Sequence, residues 1–151
     1  MSWSARLAEL GLALPPVATP AGVYLPAVRS GSLVFTSGQL PLVDGVLAAT
    51  GKLGAEIGPE QGRQLARTCA LNALAAVDGL VGLDAVVRVV KVVGFVASAP
   101  GFTAQPAVIN GASELLGEVF GEAGAHARSA VGVVELPLGA PVEVELIVEV
   151  S

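Results

Sequence analysis

The sequence predicts an α+β fold in which two helices pack on one face of a mixed β-sheet. Two segments carry apolar residues every three or four positions, as amphipathic helices do, and several apolar runs have the character of strands. These elements follow one another in the order strand, strand, helix, strand, helix, strand, strand. Because 151 residues is an ordinary length for one domain, we expect a single domain over residues 1–151.

The N-terminal segment is predicted to lie outside this sheet. Residues 4–10 favour a short helix that a serine caps and Gly11 ends. The Pro15-Pro16 pair then prevents a return to helix. We therefore interpret residues 1–19 as an N-terminal extension that lies on the surface as a flap.

The first two strands are predicted at Ala27 to Arg29 and at Leu33 to Gly38, joined by a tight turn. A glycine at the end of a strand suggests a close approach of its backbone to another group. The loop over residues 41–50 has little pattern beyond Asp44-Gly45, which is a turn signal.

The first long helix should begin at Pro59, because proline is favoured at the first helical position, and end near Gly79 or Gly82. Arg63 and Arg67 lie at the edge of its apolar stripe or off it, so they are assigned to its solvated side. The second helix should begin at Pro106 and end at a glycine near residue 121 or 124.

The segment from Val86 to Ala97 is a β-branched run in which neither alternating set of residues is polar. Such a strand is typically covered on both faces of its sheet. Since one layer of helices covers one face only, the other face is expected to need a partner. In the last strand, from Pro141 to Val150, the alternation is clean and carboxylates lie on one side.

Composition excludes several classes of function. Hydrophobic residues make up 53% of the chain, and charged residues make up 14%, where about a quarter is usual. This composition favours an oligomer that buries a second apolar surface, although an alanine- and valine-rich proteome would also explain it. The net charge of −5 and the scattered basic residues disfavour nucleic-acid binding. The apolar run at 86–97 is too short and too charged to span a membrane. The single Cys69 allows no intrachain disulfide, which suits a cytoplasmic protein.

Metal and triad chemistry are also disfavoured. The chain has one histidine, His126, so it lacks a Cys/His cluster with metal-ligand spacing, and no serine lies in a nucleophile elbow. We expect no metal and no cofactor.

Arg128 is the residue most suited to ligand binding. It begins a strand whose same-face neighbours are small or apolar, and a partly dehydrated guanidinium binds a carboxylate bidentately. From spacing alone, the alternative is a structural ion pair with Glu143 or Glu145 on an adjacent strand. Spacing alone favours that alternative.

Several motifs, in this order, resemble the RidA/YjgF family of enamine/imine deaminases from about residue 20 to the C-terminus. They are Gly22-Val23-Tyr24, Phe35-Thr36-Ser37-Gly38-Gln39-Leu40-Pro41, Asn110, Ala127-Arg128-Ser129, Leu136-Pro137 and Val142-Glu143-Val144-Glu145. The resemblance implies a chorismate-mutase-like fold, assembled as a homotrimer with sites in the clefts between subunits. It also implies hydrolysis of 2-enamino or 2-imino acids to 2-keto acids and ammonia.

Site residues follow from the same resemblance. Arg128 would hold the substrate carboxylate and Glu143 would position the attacking water. The remaining residues would shape the pocket: Tyr24, Ser37, Gly38, Asn110 and Ser129. The chain departs from the family where His126 replaces the usual proline, where Ala130 follows the Arg-Ser pair in place of cysteine, and in a longer loop after Pro41, which indicates a side branch.

Two other functions stay open. The chain could be a trimeric protein that binds small carboxylates in the same clefts without turnover. It could also share the RNA-cleaving or translation-inhibiting role attributed to some relatives, against which its acidity counts.

Overall fold

The computed structural model describes residues 2–151 and contains a five-stranded mixed sheet, a small hairpin and three α-helices. The helices are α1 (Trp3–Glu9), α2 (Pro59–Val81) and α3 (Gln105–Phe120). The strands are β1 (Ala27–Ser30), β2 (Leu33–Thr36), β3 (Leu42–Val43), β4 (Val46–Leu47), β5 (Val86–Ala97), β6 (Ala127–Val133) and β7 (Val142–Val150). The predicted α+β class and mixed sheet are therefore confirmed.

The main sheet has the strand order β1-β2-β7-β5-β6. Strands β5 and β6 run parallel, and the other neighbours are antiparallel. Because α3 connects β5 to β6, it supplies the long crossover that a parallel pair needs. Strand β6 is an edge of the sheet, and β5 separates it from β7.

The core lies between the sheet and the two long helices. From β7 it takes Val142, Val144, Leu146, Val148 and Val150, all buried, while the residues between them face the other way and are half-buried. Opposite them α2 and α3 contribute buried alanines, leucines and valines. We call the second surface of the sheet, which carries Glu143, Glu145 and Ile147, the open face.

The N-terminal helix packs on the body of the protein more closely than a surface flap would. The indole N–H of Trp3 donates to the carbonyl of Val86 at 2.8 Å, and its ring lies edge-on to Phe120 at 5.1 Å. Leu7 is buried in the core, and Ser2 caps the helix by accepting from the amide of Ala5. Apolar side chains of this segment thus cover the end of the helix layer.

The segment predicted to be a patternless loop contains the β3–β4 hairpin. Asp44 and Gly45 both have positive φ angles, 52° and 78°. This is the backbone that a two-residue hairpin turn requires, and Asp-Gly is a preferred sequence for it. The turn signal was correct, but the flanking strands are two residues each and too short to show alternation.

Irregular pairing of β5 explains in part why its sequence shows no alternation of polar and apolar residues. Two irregularities interrupt its pairing with β7, between Val86 and Arg88 and between Val89 and Lys91. Each bulge shifts which residues face the helices, so the buried positions step by three before settling into steps of two. The apolar residues of both alternating sets therefore partly serve one core.

Ion pairs join the outer sides of α2 and α3. Arg67 pairs with Glu118 at 2.9 Å, and Arg63 pairs with Glu114. The arginines assigned to a solvated side are thus half-exposed and link two helices. The helices come close at Gly111, where a β-carbon would collide with the backbone carbonyl oxygen of Arg63.

We predict that Gly111→Ala lowers the free energy of unfolding by about 2 kcal/mol or more, because the helices must separate to admit a methyl group. Gly117→Ala is the matched control, since nothing lies within 4 Å of a β-carbon at that position of the same helix. It should raise stability by about 0.5–1 kcal/mol through helix propensity. Urea unfolding at one protein concentration measures both, and equal effects of the two variants would contradict the close approach.

Candidate functional site

The side chains singled out from the sequence lie in two clusters on opposite faces of the sheet. Side chains along a strand alternate between faces, and paired residues of neighbouring strands share a face. Arg128 pairs with Val92, which pairs with Leu146 on the helix face. Glu143 pairs with Phe95 on the open face. One chain therefore does not bring Arg128 and Glu143 together.

The first cluster is built by β6 and the beginning of α3. Nη1 of Arg128 donates to Oδ1 of Asn110 at 2.8 Å and to Oγ of Ser113 at 3.2 Å. Nη2 donates to the backbone carbonyl of Pro106 at 3.4 Å. The guanidinium thus lies across the side of α3, and the structure brings the predicted pair Arg128 and Asn110 into direct contact.

These contacts leave some guanidinium donors of Arg128 without a partner. Nη1 has two acceptors, and Nη2 has one at the long distance of 3.4 Å. Within residues 2–151, the N–H of Nε has none. Nε and Nη2 form one edge of the planar group, and such an edge has the fork geometry that matches a carboxylate. The half-buried Arg128 therefore has donor capacity left for an anion on this side of the guanidinium.

The structural alternative for Arg128, an ion pair with Glu143 or Glu145, is wrong. Strand β5 lies between β6 and β7, so Arg128 has no direct neighbour on β7. The carboxylates also point to the opposite face. Its partners are the neutral oxygens of α3, which orient the guanidinium without neutralising its charge.

The second cluster surrounds Glu143 on the open face. Gly38 lies so close that a β-carbon there would collide with the carboxylate in its present position, so a larger residue at 38 would displace the Glu143 side chain. Burial raises the pKa of Glu143, and the nearby Glu145 charge raises it further. A carboxyl group with a raised pKa exchanges protons more readily near neutral pH.

A cavity next to Gly38 is lined by Tyr24. Tyr24, Pro26, Gly38 and Leu138 line one cavity of about 190 Å³, to which residues 18–21 add a wall. Ser37 lies beside Gly38 in sequence, but its hydroxyl donates to the carbonyl of Leu25 at 2.6 Å. It holds the Tyr24 turn against the end of β2.

Sequence reasoning missed a residue that supports this cluster. The buried amide of Asn72, on α2, donates to the carbonyls of Leu40 and Leu42 at 3.1 and 3.0 Å. These bonds tie the segment that follows Gly38 to the core. An asparagine among the apolar residues of a helix was the available signal, since buried polar groups need partners.

Two more residues were missed or unassigned in the first cluster. Nε2 of His126 lies 2.9 Å from Oγ of Ser113, which also accepts from Arg128. Ser113 gave no signal in the sequence beyond its position three residues after Asn110.

Ser129, predicted to shape the pocket, pairs with Val93 on the open face and is exposed. It lies on the opposite side of β6 from the Arg128 guanidinium.

No group of three or more His, Cys, Asp or Glu side chains among residues 2–151 is arranged to hold a metal ion. In the same residues, no helix combines the length and the apolar character needed to cross a bilayer.

Comparison with known proteins places relatives along nearly the whole chain. A family model described as "YjgF/chorismate mutase-like, putative endoribonuclease" matches residues 4–150. Protein TCP17 of Trypanosoma cruzi is 48% identical over 150 residues, which cover 98% of this chain and 94% of TCP17.

Two solved structures have the same fold. A "putative endoribonuclease" from Shewanella oneidensis MR-1 is 34% identical with a TM-score of 0.96, covering 99% of this chain and 100% of that one. E. coli TdcF with bound serine is 29% identical with a TM-score of 0.64, covering 89% and 94% of the two chains.

We predict that Glu143→Gln stabilises the fold at neutral pH. The pKa of Glu143 is raised on folding, so its charged form is disfavoured in the folded state, and the stability it supports is lost as pH rises through that pKa. Glutamine removes this cost, and the gain should shrink towards zero below about pH 4, where the glutamate is protonated in both states. Thermal unfolding between pH 3 and pH 8 measures it.

The exposed Glu122→Gln is the control and should change stability little at any pH. A Glu143→Gln protein that is less stable than wild type at pH 7 would show that the carboxylate serves the fold.

Proposed function

Since this chain belongs to the YjgF/chorismate-mutase-like family, we propose that it hydrolyses 2-enamino and 2-imino acids to 2-keto acids and ammonia. The observation that carries the proposal is the guanidinium of Arg128, which α3 orients through Nη1 and Nη2 while its Nε has no acceptor among residues 2–151. A carboxylate is the ligand that the Nε–Nη2 edge of an arginine suits. Glu143, a half-buried carboxyl group with a raised pKa, supplies acid–base chemistry.

A second copy of the chain would complete the site. Arg128 lies at an edge strand and Glu143 on the open face, and a single chain keeps them on opposite sides of the sheet. The open face also exposes apolar side chains, including 48% of Val28, 37% of Phe35 and 44% of Val131. Covering such a patch favours association. We propose a homotrimer in which the edge of one subunit meets the open face of the next.

The reaction needs a water molecule, a group that transfers protons and a group that orients the substrate. Glu143 and Arg128 can serve as the last two. Arg128 holds the carboxylate and so fixes the position of the adjacent imine carbon. Glu143 takes a proton from a water molecule as the water oxygen bonds to that carbon. The proton passes to nitrogen, the carbon–nitrogen bond breaks, and the second water proton also reaches nitrogen as the carbonyl forms. Water thus supplies the keto oxygen and the two hydrogens that convert the imine nitrogen to ammonia.

The cavity beside Gly38 is a suitable place for the substrate side chain. It is lined by Tyr24, Pro26 and Leu138, with about 190 Å³ of space. Its walls are mostly apolar, so aliphatic side chains should be preferred over charged ones.

We predict that Arg128→Ala lowers kcat/KM for 2-imino acids at least about 100-fold, since it removes the charge-assisted bonds to the carboxylate. The imines are generated in the assay by an amino-acid oxidase, and their loss is followed with and without the protein. Arg29→Ala is the matched control and should keep wild-type activity, because this exposed arginine of β1 bonds only the carbonyls of Gly31 and Ser151. An Arg128→Ala protein as active as wild type would refute the proposal.

A second function has a specific observation behind it. TdcF holds serine, a small carboxylate, in its structure. A protein that binds 2-keto acids at Arg128 but does not accelerate imine loss for several side chains would be a carboxylate-binding protein of the same architecture. The relatives called endoribonucleases carry only that description, and the net charge of −5 works against RNA binding.

The assembly gives a separate prediction. Light scattering should show three times the chain mass of 15.0 kDa. Val131→Glu should yield smaller species, because it places a charge on the open face in the row of Phe95 and Glu143. The control is Val46→Glu, at a 68% exposed site in the β3–β4 hairpin. A monodisperse wild-type monomer would contradict the two-chain site.

A further inference from the structure

We propose that Ser113 and His126 are positioning residues that orient Arg128 for carboxylate binding. This inference rests on the proposed function of Arg128 and adds the supports behind it. The side chains form a continuous chain of hydrogen bonds from the guanidinium to the backbone of Gly124, in the turn that follows α3. His126 stands where the family resemblance leads one to expect proline, which has no side-chain donor or acceptor.

The chain of bonds has a defined direction. Nδ1 of His126 lies 2.6 Å from the carbonyl oxygen of Gly124, which can only accept. Nδ1 therefore carries the hydrogen, and in the neutral ring Nε2 is an acceptor. It takes the hydroxyl hydrogen of Ser113 at 2.9 Å. The lone pairs of that oxygen then face Nη1 of Arg128 at 3.2 Å.

This direction matters because a serine hydroxyl can rotate. Without His126 the hydrogen of Ser113 could turn towards the guanidinium and oppose it. With the hydrogen held by His126, the oxygen presents only acceptor character to Arg128. Both hydrogens of Nη1 are then satisfied, one by Ser113 and one by Asn110.

Fixing Nη1 fixes the plane of the whole guanidinium. The group is rigid, so two acceptors on one nitrogen set the direction of the Nε–Nη2 edge. A bidentate bond to a carboxylate needs that edge to be in place before the ligand arrives, and orientation held in advance lowers the entropy cost of binding. Ser113 and His126 do not touch the ligand; they act through Arg128.

The experiment compares a 2-keto acid with its amide. The probes are 2-oxobutanoate and 2-oxobutanamide, and binding is measured by NMR titration of the full-length protein. Ser113→Ala and His126→Phe should each weaken 2-oxobutanoate binding about three- to tenfold, as expected for loss of one supporting hydrogen bond. Binding of the amide should not change. KM for 2-imino acids should rise in proportion, with kcat within about twofold of wild type.

Two further variants separate positioning from folding. His126→Gln keeps an acceptor near the place of Nε2 and should recover part of the affinity that His126→Phe loses. Ser98→Ala removes another half-buried hydroxyl that bonds α3, through Gln105, and should leave both ligands unaffected.

Two results would overturn the positioning role: unchanged binding of the acid in both variants, or equal weakening of acid and amide. Failure of the deaminase proposal looks different. Wild type would then bind 2-oxobutanoate without hydrolysing imines, and the acid–amide comparison would still decide the roles of Ser113 and His126.

Discussion

The pleat of the sheet is the constraint on which the arrangement of this protein depends. Side chains alternate across each strand, and β5 lies between β6 and β7. Because of this register, the side chain of Arg128 lies on the face covered by α3, and the side chain of Glu143 lies on the open face. The two faces thereby acquire different tasks. The helix face holds the core and orients the arginine, and the open face carries the carboxyl group and an uncovered apolar surface.

Two features of the open face do not contribute to the stability of a single chain. The absence of a side chain at Gly38 leaves room for the carboxyl group of Glu143, which is half-buried beside the like charge of Glu145. A neutral side chain at 143 would avoid the cost of burying a charge, and a carboxyl group with a raised pKa is the kind of group that the proposed acid–base chemistry needs.

Much of the fold was predictable because its signals are local. The helix α2 begins at Pro59 as predicted and ends at the second of the two expected glycines, Gly82, while β5 spans Val86 to Ala97 as expected. The docking of α1 was not, since the bond from Trp3 to Val86 joins residues far apart in the chain. The partner of Arg128 was also misjudged, because spacing does not reveal that β5 intervenes. The Ser113–His126 contact likewise requires the three-dimensional path of α3.

The net charge of −5 makes the local contacts of Arg128 more important for binding an anion. A protein with an excess of acid does not attract anions by its overall field, and salt screens that field within about 10 Å. An acidic ligand must therefore be held by short, directed bonds. Arg128 has neutral oxygens as its partners, so its positive charge stays uncompensated while its orientation is fixed. The proposed recognition of a carboxylate would then depend on how firmly α3 and His126 hold one planar group.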